Sequence, residues 1–600
     1  MKDKAQFSKT NLSRYAIAIL LFIQFACVRL VALEPPGFQT AQEYISASVR
    51  DGIAADLSKY FSDQTNKWVV DARFLEGLLS PTNHSITRHG LKLHHAIVTN
   101  RFDLVNAEIP NDTYFVDCTF TGPIDFRHSH FHRDLYFSRS ASVKGDVLYR
   151  TTTFQTNADF YGMKVDGDSY FRGASFNSGV RFEQAEIKGS LYAERAEFVS
   201  LGELANFKRL TVGRLTTLEG ATFNGPVSFT HAHFSSSFIA YGANFLNPTN
   251  RASFNTIKVD GHANLDSTTF AGPVDFGGAE VLLQMQMEEA HFTNSTNVAS
   301  FNGARVGGAA FFGKATFRGP VEFRRAFFGG NFQANDTKFI NVSSAREVGH
   351  TNSSIEFFNA DFKGMRVEGA AHFNKAAFAG RVSFKDASFQ AMDLSAQSWP
   401  TNAHSIELDG MSFKRIGSGT NAISPWKDIQ VVVTPSPYRP DVYLSLESFF
   451  RRQGYDDEAD HVLYAKNREV RKNLWNERQY IQGVANWLLG FVVGYGRHPE
   501  NAIYIGVFFI CLGVLVVRGV DAAGKTPKKV EKQKPEEADR SYNAFWYSLD
   551  LFAPAIDLQS ANYWKPKQDS GFARHYMRIH RIAGWILVPI CIAAMMGIIK

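Results

Sequence analysis

Apolar residues recur along the middle of the chain at intervals that alternate between six and five residues. The clearest run starts at Phe154 and continues through Phe160, Val165, Phe171, Phe176, Phe182, Ile187, Ala193 and Phe198. Related runs occupy most of residues 91–415. A step of five or six residues matches neither the 3.6-residue period of a helix nor the two-residue period of a strand. It fits a chain that turns a corner after each inward-facing residue.

Four such corners complete one coil of 22 residues, and successive coils place like residues above one another. Each coil then buries its apolar side only against its neighbours, as in a solenoid. A second small or apolar residue often lies two positions earlier, as Ala221 does before Phe223. The residues predicted to form the core include Phe160, Phe171, Phe176, Phe182, Phe223, Phe229, Phe234, Phe317, Phe323, Phe328, Phe373, Phe378, Phe384 and Phe389.

The repeat can be written A-x-F-x-G-x-V-x-F, and it is followed by segments such as ATFNGPVSFTHAHF and ATFRGPVEFRRAFF. It resembles the pentapeptide-repeat family, in a membrane-associated bacterial variant with C-terminal transmembrane helices, over about half the chain. The simplest form of that family steps five residues every time, whereas every second step here carries one extra residue. The resemblance implies a mainly β fold, a right-handed quadrilateral β-helix at residues 91–415. Interruptions near 199–217, 246–258, 293–300 and 340–354 predict surface loops or irregular coils.

The segments before the repeats predict an export signal and a cap. Residues 1–32 combine a basic start, an apolar stretch and the small residue Ala32, as in a signal peptide. Leu30 is large for the position three residues before a cleavage site, so an uncleaved N-terminal anchor stays an alternative. Residues 33–90 predict a helical N-terminal cap, because the open end of a solenoid must be covered.

Residues 416–480 predict a linker followed by an α-helical hairpin that resembles a single tetratricopeptide unit. One such unit cannot form a stable array, so we expect it to pack against the end of the solenoid. Gly454 separates the two predicted helices. Their apolar faces are marked by Tyr443, Leu446, Phe449, Phe450, Ala459, Val462, Leu463 and Ala465.

Residues 481–600 predict a membrane domain with C-terminal transmembrane helices. Two apolar segments, about 501–519 and 582–599, approach the ~20 residues that cross a bilayer. Shorter apolar segments, about 481–496 and 541–558, are interpreted as interfacial or re-entrant, with Trp487 at headgroup depth. The Lys- and Arg-rich loop between the spans favours a cytoplasmic loop and a solenoid outside the cytoplasm. The basic run at 466–478 favours the opposite orientation, so both remain open.

Composition adds few constraints to this organisation. The net charge of +6 on 600 residues gives no reason to expect a nucleic-acid partner. The four cysteines, Cys27, Cys118, Cys511 and Cys591, show neither metal-ligand spacing nor a disulfide framework. Together with the predicted export signal, these features predict a multi-pass protein of the bacterial inner membrane whose repeat domain is periplasmic.

The segment RHSHFHR is the sharpest candidate for chemistry. His128, His130 and His132 alternate with residues that we expect to face inward. Imidazoles on one outward side of a coil can share a metal ion, so these three are candidate metal ligands. His231 and His233 flank an inward alanine in the same way. The alternative is that both groups are solvated on a polar face of the solenoid.

Charged residues near the predicted spans are candidate membrane contacts. Asp550 and Asp557 fall within an apolar segment, and an aspartate at membrane depth usually indicates a function. A place in a cytoplasmic loop is the alternative for both. Arg578 and Arg581 lie beside the last span, where basic residues meet anionic headgroups. Membrane lipids are therefore predicted partners, and haem ligation by the nearby histidines is a weaker alternative.

The sequence offers no nucleophile, base and orienting residue, and no phosphate- or dinucleotide-binding motif in a supporting context. We therefore expect a non-enzymatic, cofactor-free protein that binds a protein partner, or itself, through the solenoid at the cell envelope. A channel- or transporter-like module with the β-helix as its sensor is an alternative, because some relatives of the family carry a two-helix pore domain. No T-x-G-Y-G filter is present. A β-helix carbohydrate-active enzyme is less favoured.

Overall fold

The computed structural model describes residues 37–62, 64–80, 86–138, 152–341, 358–417, 423–522, 528–529, 543–553, 564–565 and 571–596. The predicted signal peptide or anchor at 1–32 lies outside these ranges. The chain divides into two compact units. Met1–Ser424 with Val431–Ser436 form the first, and Pro425–Gln430 with Pro437–Lys600 form the second.

The first unit contains a parallel β-solenoid of about 14 turns over residues 91–416, which confirms the predicted fold. Each turn contributes four short strands, mostly of two residues, and each strand pairs in parallel with the strand one turn earlier. Phe154 pairs with Phe176, and Phe176 pairs with Phe198, so like residues lie in register 22 residues apart. The strands form four flat faces, numbered 1 to 4 in chain order.

Two opposite faces consist of strands whose first residue points inward. The strands of face 1 are Ala55–Asp56, Leu91–His94, Thr113–Val116, Leu135–Ser138, Ser169–Tyr170, Leu191–Tyr192, Thr216–Thr217, Phe238–Ile239, Ala263–Asn264, Met285–Gln286, Ala310–Phe311 and Phe332–Gln333. The strands of face 3 are Phe102–Asp103, Ile124–Asp125, Ala158–Asp159, Val180–Arg181, Ala205–Asn206, Val227–Ser228, Ala252–Ser253, Val274–Asp275, Ala299–Ser300, Val321–Glu322, Ala360–Asp361, Val382–Ser383 and Ile406–Glu407.

The other two faces consist mainly of strands whose second residue points inward. The strands of face 2 are Val69–Asp71, Ile97–Thr99, Thr119–Phe120, Thr153–Phe154, Ser175–Phe176, Glu197–Phe198, Thr222–Phe223, Asn244–Phe245, Thr269–Phe270, His291–Phe292, Thr316–Phe317, Lys338–Phe339 and Ala377–Phe378. The strands of face 4 are Glu108–Ile109, His130–Phe131, Lys164–Val165, Glu186–Ile187, Thr211–Val212, His233–Phe234, Lys258–Val259, Glu280–Val281, Arg305–Val306 and Phe327–Phe328. Longer strands continue faces 4 and 1 together at Arg366–His372, Ser388–Asp393 and Ser412–Ile416.

The alternation of five- and six-residue steps reflects two kinds of corner. The five-residue step after Phe171 contains Gly173 in the left-handed region, with a φ of 64°. Gln184 has a φ of 60° at the equivalent corner between faces 3 and 4. The left-handed conformation costs residues other than glycine about 1–2 kcal/mol, which the surrounding strand pairs must offset. The intervening six-residue step turns through a wider bend at residues 177–178.

Columns of phenylalanine rings fill the interior of the solenoid. Every phenylalanine of the predicted core is at most 2 % exposed. The rings of Phe154 and Phe176 lie 4.5 Å apart at an angle of 1°, and those of Phe160 and Phe182 lie 4.6 Å apart at 16°. Burial of such a side chain contributes about 1.5–3 kcal/mol, and ring contacts add about 0.5–1.5 kcal/mol per pair. The interior therefore stabilises the fold, and the outward positions are free to vary.

Three short insertions enlarge a coil without interrupting the strand columns. Strands resume at 205–206, 252–253 and 299–300, so the insertions are shorter than the loops predicted from the sequence. Each adds three residues and shifts the phase of the repeat, which is why the sequence pattern seemed to stop there. Most of the fourth predicted interruption lies outside the described residues, at 342–354. The strand pairs that span the three insertions are Phe198–Phe223, Phe245–Phe270 and Phe292–Phe317.

The N-terminal segment contains helices α1 (Ala41–Asp51), α2 (Leu57–Tyr60) and α3 (Ala72–Leu79), and a 3₁₀ turn at Thr65–Trp68. Thr40 and Glu43 form a capping box at the start of α1. The strand Ala55–Asp56 pairs with the first strand of the repeats, and Val69–Asp71 pairs with the second. The segment therefore extends the strand stack in addition to supplying helices.

The second unit is helical. Its helices are α4 (Trp426–Val433, which straddles the boundary), α5 (Pro440–Arg452), α6 (Asp456–Asn476), α7 (Tyr480–Val493), α8 (Glu500–Ala522), α9 (Ala544–Phe552) and α10 (Gly571–Met595). A 3₁₀ turn, Gly494–Gly496, follows α7, and the strand Lys528–Lys529 pairs with Trp564–Lys565. Helices α5 and α6 form the predicted hairpin, in which Arg451 on α5 contacts Asp460 on α6 at 2.6 Å.

Two helices of the described chain are long and apolar enough to cross a membrane: Glu500–Gly519 of α8 and Arg574–Met595 of α10. Only 22 % and 28 % of their most apolar windows are buried within the chain. The predicted spans about 501–519 and 582–599 fall on these two helices. The shorter apolar segments correspond to α7 and α9, and α9 packs against both α8 and α10.

Candidate functional site

Face 4 carries the histidine segment on adjacent turns of the solenoid. His130 pairs in register with Glu108 on the turn before and with Lys164 on the turn after. Phe131 is fully buried, so His130 and His132 on either side of it point outward. The strand column therefore brings a carboxylate from 22 residues earlier beside the two histidines.

Two imidazole rings lie between two carboxylates at this position. The Oε2 atom of Glu108 is 3.2 Å from Nδ1 of His130 and 2.8 Å from Nε2 of His132. On the opposite side, Oδ2 of Asp166 is 3.0 Å from Nε2 of His130 and 3.3 Å from Nδ1 of His132. The ring centroids are 4.0 Å apart. Each ring therefore directs one nitrogen towards each carboxylate.

The two carboxylates differ in what else they contact. The Lys188 ammonium lies 2.8 Å from Oδ1 of Asp166. Its hydrogen bond, reinforced by one from His130, lowers the pKa of Asp166 to about 2. Asp166 is therefore an anion at neutral pH and is already paired with a cation. Glu108 has a side chain that is 59 % exposed, so it is accessible from solvent.

The structure separates His128 from the other two predicted ligands. Its φ of 57° places it at a left-handed corner between faces 3 and 4, not on the strand. Its ring meets the edge of Tyr161 at a centroid distance of 5.2 Å. The predicted trio of His128, His130 and His132 is therefore replaced by Glu108, His130 and His132, whose ligand atoms lie within 4.8 Å of one another. The sequence signal for Glu108 is its position one coil before His130.

The second histidine pair repeats part of this arrangement one quarter of the way along the same face. His233 Nε2 lies 2.8 Å from Oδ2 of Asp260, and Lys258 contacts the other oxygen of that carboxylate at 3.3 Å. His231 occupies a left-handed corner with a φ of 60°, as His128 does. Among the described residues, the ligand grouping found around His130 does not recur here.

A column of stacked tyrosines, which the sequence analysis missed, runs along face 1. The ring centroids of Tyr114 and Tyr136 are 4.0 Å apart, those of Tyr136 and Tyr170 are 4.1 Å apart, and those of Tyr170 and Tyr192 are 4.8 Å apart. All three pairs are within 14° of parallel. Spacings of 22 residues between the first two and the last two tyrosines are the signal that could have revealed the column.

Aspartates at the adjacent corner hold this tyrosine column in place. The hydroxyl of Tyr136 donates to Asp134, and the hydroxyl of Tyr170 donates to Asp168, each at 3.1 Å. The other oxygen of Asp134 accepts the backbone N–H of Asp168 at 2.8 Å, and that of Asp168 accepts the N–H of Ser190 at 2.7 Å. Burial, aided by the Asp168 carboxylate, raises the pKa of Tyr170 to about 12. The column is thus neutral at physiological pH.

The residues predicted to contact the membrane are partly described. Trp487 on α7 is half exposed and stacks on Phe491 at 5.5 Å. Asp550 on α9 is half-buried, and Arg578 and Arg581 on α10 are exposed. The remaining predicted residue, Asp557, lies outside the described residues.

A buried polar group joins α9 to the two candidate spans. His580 on α10 is 1 % exposed, and its Nε2 lies 3.0 Å from the carbonyl oxygen of Ser548 on α9. The hydroxyl of Ser548 donates to the carbonyl oxygen of Ile510 on α8 at 3.0 Å. The sequence grouped His580 with exposed basic residues, but its ring faces neighbouring helices. Its contacts describe a fastening between helices and do not favour haem ligation.

A cavity of about 1000 Å³ opens on face 3 near the C-terminal end of the solenoid. Arg324, Asp361 and Glu407 are among the charged residues that line it. The Arg324 guanidinium contacts Asp361 at 2.6 Å and Glu322 at 3.2 Å. Ion pairs between rungs therefore account for this charged lining.

Comparison of the chain with protein-family models, with curated proteins and with solved structures found no match to any of the three. The functional argument therefore rests on the residues and geometry given above.

Proposed function

We propose that the chain is a pentapeptide-repeat-type β-helix that serves as a non-enzymatic binding or scaffolding module tethered to a bacterial membrane. The alternating five- and six-residue steps support the family assignment. Gly173 and Gln184 illustrate why: both turn a five-residue corner in the left-handed conformation, so the sequence spacing and the backbone geometry agree.

The single observation that carries the tether is the exposure of α8 and α10. A long apolar helix in the core of a soluble protein is mostly buried, whereas about three quarters of each candidate span is not. Phe508 and Leu515 on α8 and Trp585 on α10 are each more than 60 % exposed. Such a belt of apolar side chains is stable when lipid covers it.

The binding role is supported by the dimensions of the solenoid. About 14 turns at ~4.8 Å per strand give flat faces about 65 Å long. Each face presents one column of outward side chains at a constant spacing, which suits an extended partner or a second solenoid. Face 1 with its tyrosine column is the most distinctive of these surfaces, because aromatic residues are enriched where proteins bind each other.

Two measurements test this proposal. The full chain should remain in the membrane pellet after carbonate extraction, and a variant truncated after residue 480 should be released. An epitope inserted at 295–297, in an exposed insertion of the solenoid, should be accessible from the periplasm in intact cells, and one at residue 530 should not. Recovery of the full chain in the soluble fraction would contradict the tether, and the opposite labelling pattern would contradict the periplasmic placement.

One observation favours a channel-like module as a second candidate. Helix α9 has only nine residues and lies between two candidate spans, against which Ser548 and Phe552 pack. A short helix held between two spans is compatible with a re-entrant segment that lines a pore. Ion flux through vesicles containing the full chain, absent when residues 541–600 are deleted, would favour this candidate over the scaffold.

A further inference from the structure

We propose that Glu108, His130 and His132 bind a divalent transition-metal ion of the zinc class on face 4, with Asp166 orienting both imidazoles from behind. This inference depends only on the solenoid and stands whether or not the membrane proposal holds. It differs from the sequence prediction in its ligands, because Glu108 takes the place of His128.

The spacing of the donor atoms fits such an ion. Ligand atoms about 2.0–2.1 Å from a tetrahedral metal lie about 3.3 Å from one another. The Glu108 carboxylate oxygen is 3.2 Å from Nδ1 of His130 and 2.8 Å from Nε2 of His132. A metal ion at the centre of these three atoms would replace two hydrogen bonds with three coordinate bonds. The required movement is a few tenths of an ångström on side chains that are all accessible to solvent.

The nitrogen atoms left over are in the position that metal sites require. A histidine that ligates a metal with one nitrogen almost always donates its other N–H to a carboxylate or carbonyl, which fixes the tautomer. Here the outer nitrogens, Nε2 of His130 and Nδ1 of His132, both lie within 3.3 Å of the same Asp166 oxygen. One carboxylate would therefore orient two ligands.

Lys188 decides which carboxylate binds the metal. Its ammonium lies 2.8 Å from Asp166 and would repel a cation placed on that side of the rings. Lys188 is 61 % exposed and still pairs with Asp166, which anchors this carboxylate at the rear of the site. The Glu108 side faces solvent, so the ion enters there.

The donor set selects the class of metal. Two imidazoles and one carboxylate suit Zn²⁺, Co²⁺, Ni²⁺ or Cu²⁺, whereas Mg²⁺ and Ca²⁺ prefer sites made only of oxygen atoms. Three protein ligands leave the fourth position of a tetrahedral ion open. That position faces solvent and would take a water molecule or a ligand from whatever docks on face 4.

The site is held by the β-helix itself. His130 and Glu108 are in register on neighbouring strands, and Phe131 is locked in the core between the two histidines. The ligands thus project from rigid rungs, so little order has to be created when the ion binds. Removal of the outward side chains should leave the fold intact, which makes the site suitable for mutation.

The test uses the full chain in detergent, purified without a histidine tag and stripped with EDTA. Calorimetric titration with Zn²⁺ should show one site per chain, and Co²⁺ should give the intense visible bands of four-coordinate cobalt. His130→Gln, His132→Gln and Glu108→Gln should each weaken Zn²⁺ binding by more than about 100-fold, the upper range for losing only a partner of a ligand. The triple variant measures background binding elsewhere.

Two further variants separate the proposed roles. Asp166→Asn should weaken binding by about 10–100-fold while one Zn²⁺ per chain is still bound. His128→Gln is the matched control and should leave affinity unchanged, because His128 is at the corner and faces Tyr161. Equal losses in His128→Gln and His130→Gln, or wild-type affinity in the triple variant, would overturn the proposal. If a histidine variant fails to fold, as judged by its melting curve without metal, the exposed Glu108→Gln still decides.

Discussion

The side-chain amide of Asn294 donates to the carbonyl oxygen of Pro248 at 3.1 Å, across 46 residues of sequence. Asn247 makes the same bond to Leu201 at 3.4 Å, and Asn341 makes it to Ser295 at 3.2 Å. The three asparagines are 47 residues apart, the sum of one plain coil of 22 residues and one coil of 25. A longer period is therefore superimposed on the solenoid, and it links each insertion to the one before.

These bonds close the insertions as Asx turns. The Oδ1 atom of Asn294 accepts the backbone N–H groups of Thr296 and Asn297 at 3.0 and 2.8 Å. Its amide also reaches Ala271 on the intervening plain coil at 3.3 Å. One asparagine therefore shapes its own insertion and fastens it to the two turns that precede it.

We predict that Asn294→Ala destabilises the solenoid by about 1–3 kcal/mol, because buried backbone groups lose their partners. Asn297→Ala is the matched control in the same insertion: its side chain is exposed, and its N–H still bonds to Asn294. It should change stability by less than about 0.5 kcal/mol. Urea unfolding followed by circular dichroism measures both. Equal midpoints for the two variants would show that the amide ladder contributes nothing.

The Gly-Pro pairs of the repeat have their explanation in the same insertions. A Cβ atom on Gly272 would lie 2.1 Å from the carbonyl oxygen of Asn247, and one on Gly319 would lie 2.4 Å from that of Asn294. Gly225 is equally close to Ser200, at 2.1 Å. Each glycine follows an insertion by one coil and gives it room to fold onto the next turn.

Gly272→Ala should therefore destabilise the solenoid by about 1–3 kcal/mol, the usual cost of overpacking, because the clash is with backbone that cannot rotate away. The control is Gly202→Ala, since a Cβ atom there has nothing within 4 Å. Thermal unfolding of the two variants side by side measures the difference. A stable Gly272→Ala protein would mean that the insertion can shift outward at little cost.

The tyrosine column gives a prediction about alkaline pH. The pKa of Tyr170 is raised to about 12 in the fold, chiefly by burial, against about 10 in the unfolded chain. A group with a raised native pKa holds its proton more tightly when folded, so its contribution is complete below pH 10 and is lost as pH rises towards 12. Stability should fall across that window. Phenolate absorbance should show one group titrating about two pH units late.

Tyr170→Phe is the control for this alkaline loss, because it keeps the ring stack and removes the ionisable hydroxyl. The variant should lose less stability than wild type between pH 10 and 12, after allowance for the hydrogen bond to Asp168 that it lacks at every pH. Parallel loss in both proteins would place the alkaline transition elsewhere.

The sequence predicted the inward columns because a buried phenylalanine at each step leaves a direct trace in spacing, as Phe154 and Phe176 show. It could not predict outward contacts so easily, because these join residues one coil apart. Glu108 beside His130 and Tyr114 beside Tyr136 both required coils to be aligned first. His128 was misplaced because simple alternation was carried through a corner, where the backbone turns left-handed.

The helical unit was predictable in outline for a similar reason. Apolar length reveals a candidate span such as α8, but composition does not reveal which polar side chain joins two helices. His580 was grouped with Arg578 and Arg581 by proximity in sequence, although the helical turn directs it towards α9 and directs the arginines outward. A period of 3.6 residues makes this difference visible only after the neighbouring helices are placed.

Close packing of α9 against the spans leads to the last prediction. A Cβ atom on Gly513 would lie 2.2 Å from the hydroxyl oxygen of Ser548, and one on Gly584 would lie within 2 Å of the carbonyl oxygen of Phe552. Alanine at either position should lower the melting temperature in detergent. Gly519→Ala, whose Cβ atom would meet nothing within 4 Å, is the control.

A second substitution distinguishes the two clashes. Ser548→Gly removes the hydroxyl that obstructs residue 513, so it should partly rescue Gly513→Ala, although it also removes the bond to Ile510. It cannot rescue Gly584→Ala, because the obstruction there is main chain on α9. A double-mutant cycle on the melting temperatures measures this coupling. Rescue of both glycine variants, or of neither, would show that α9 does not lie between the two spans as described.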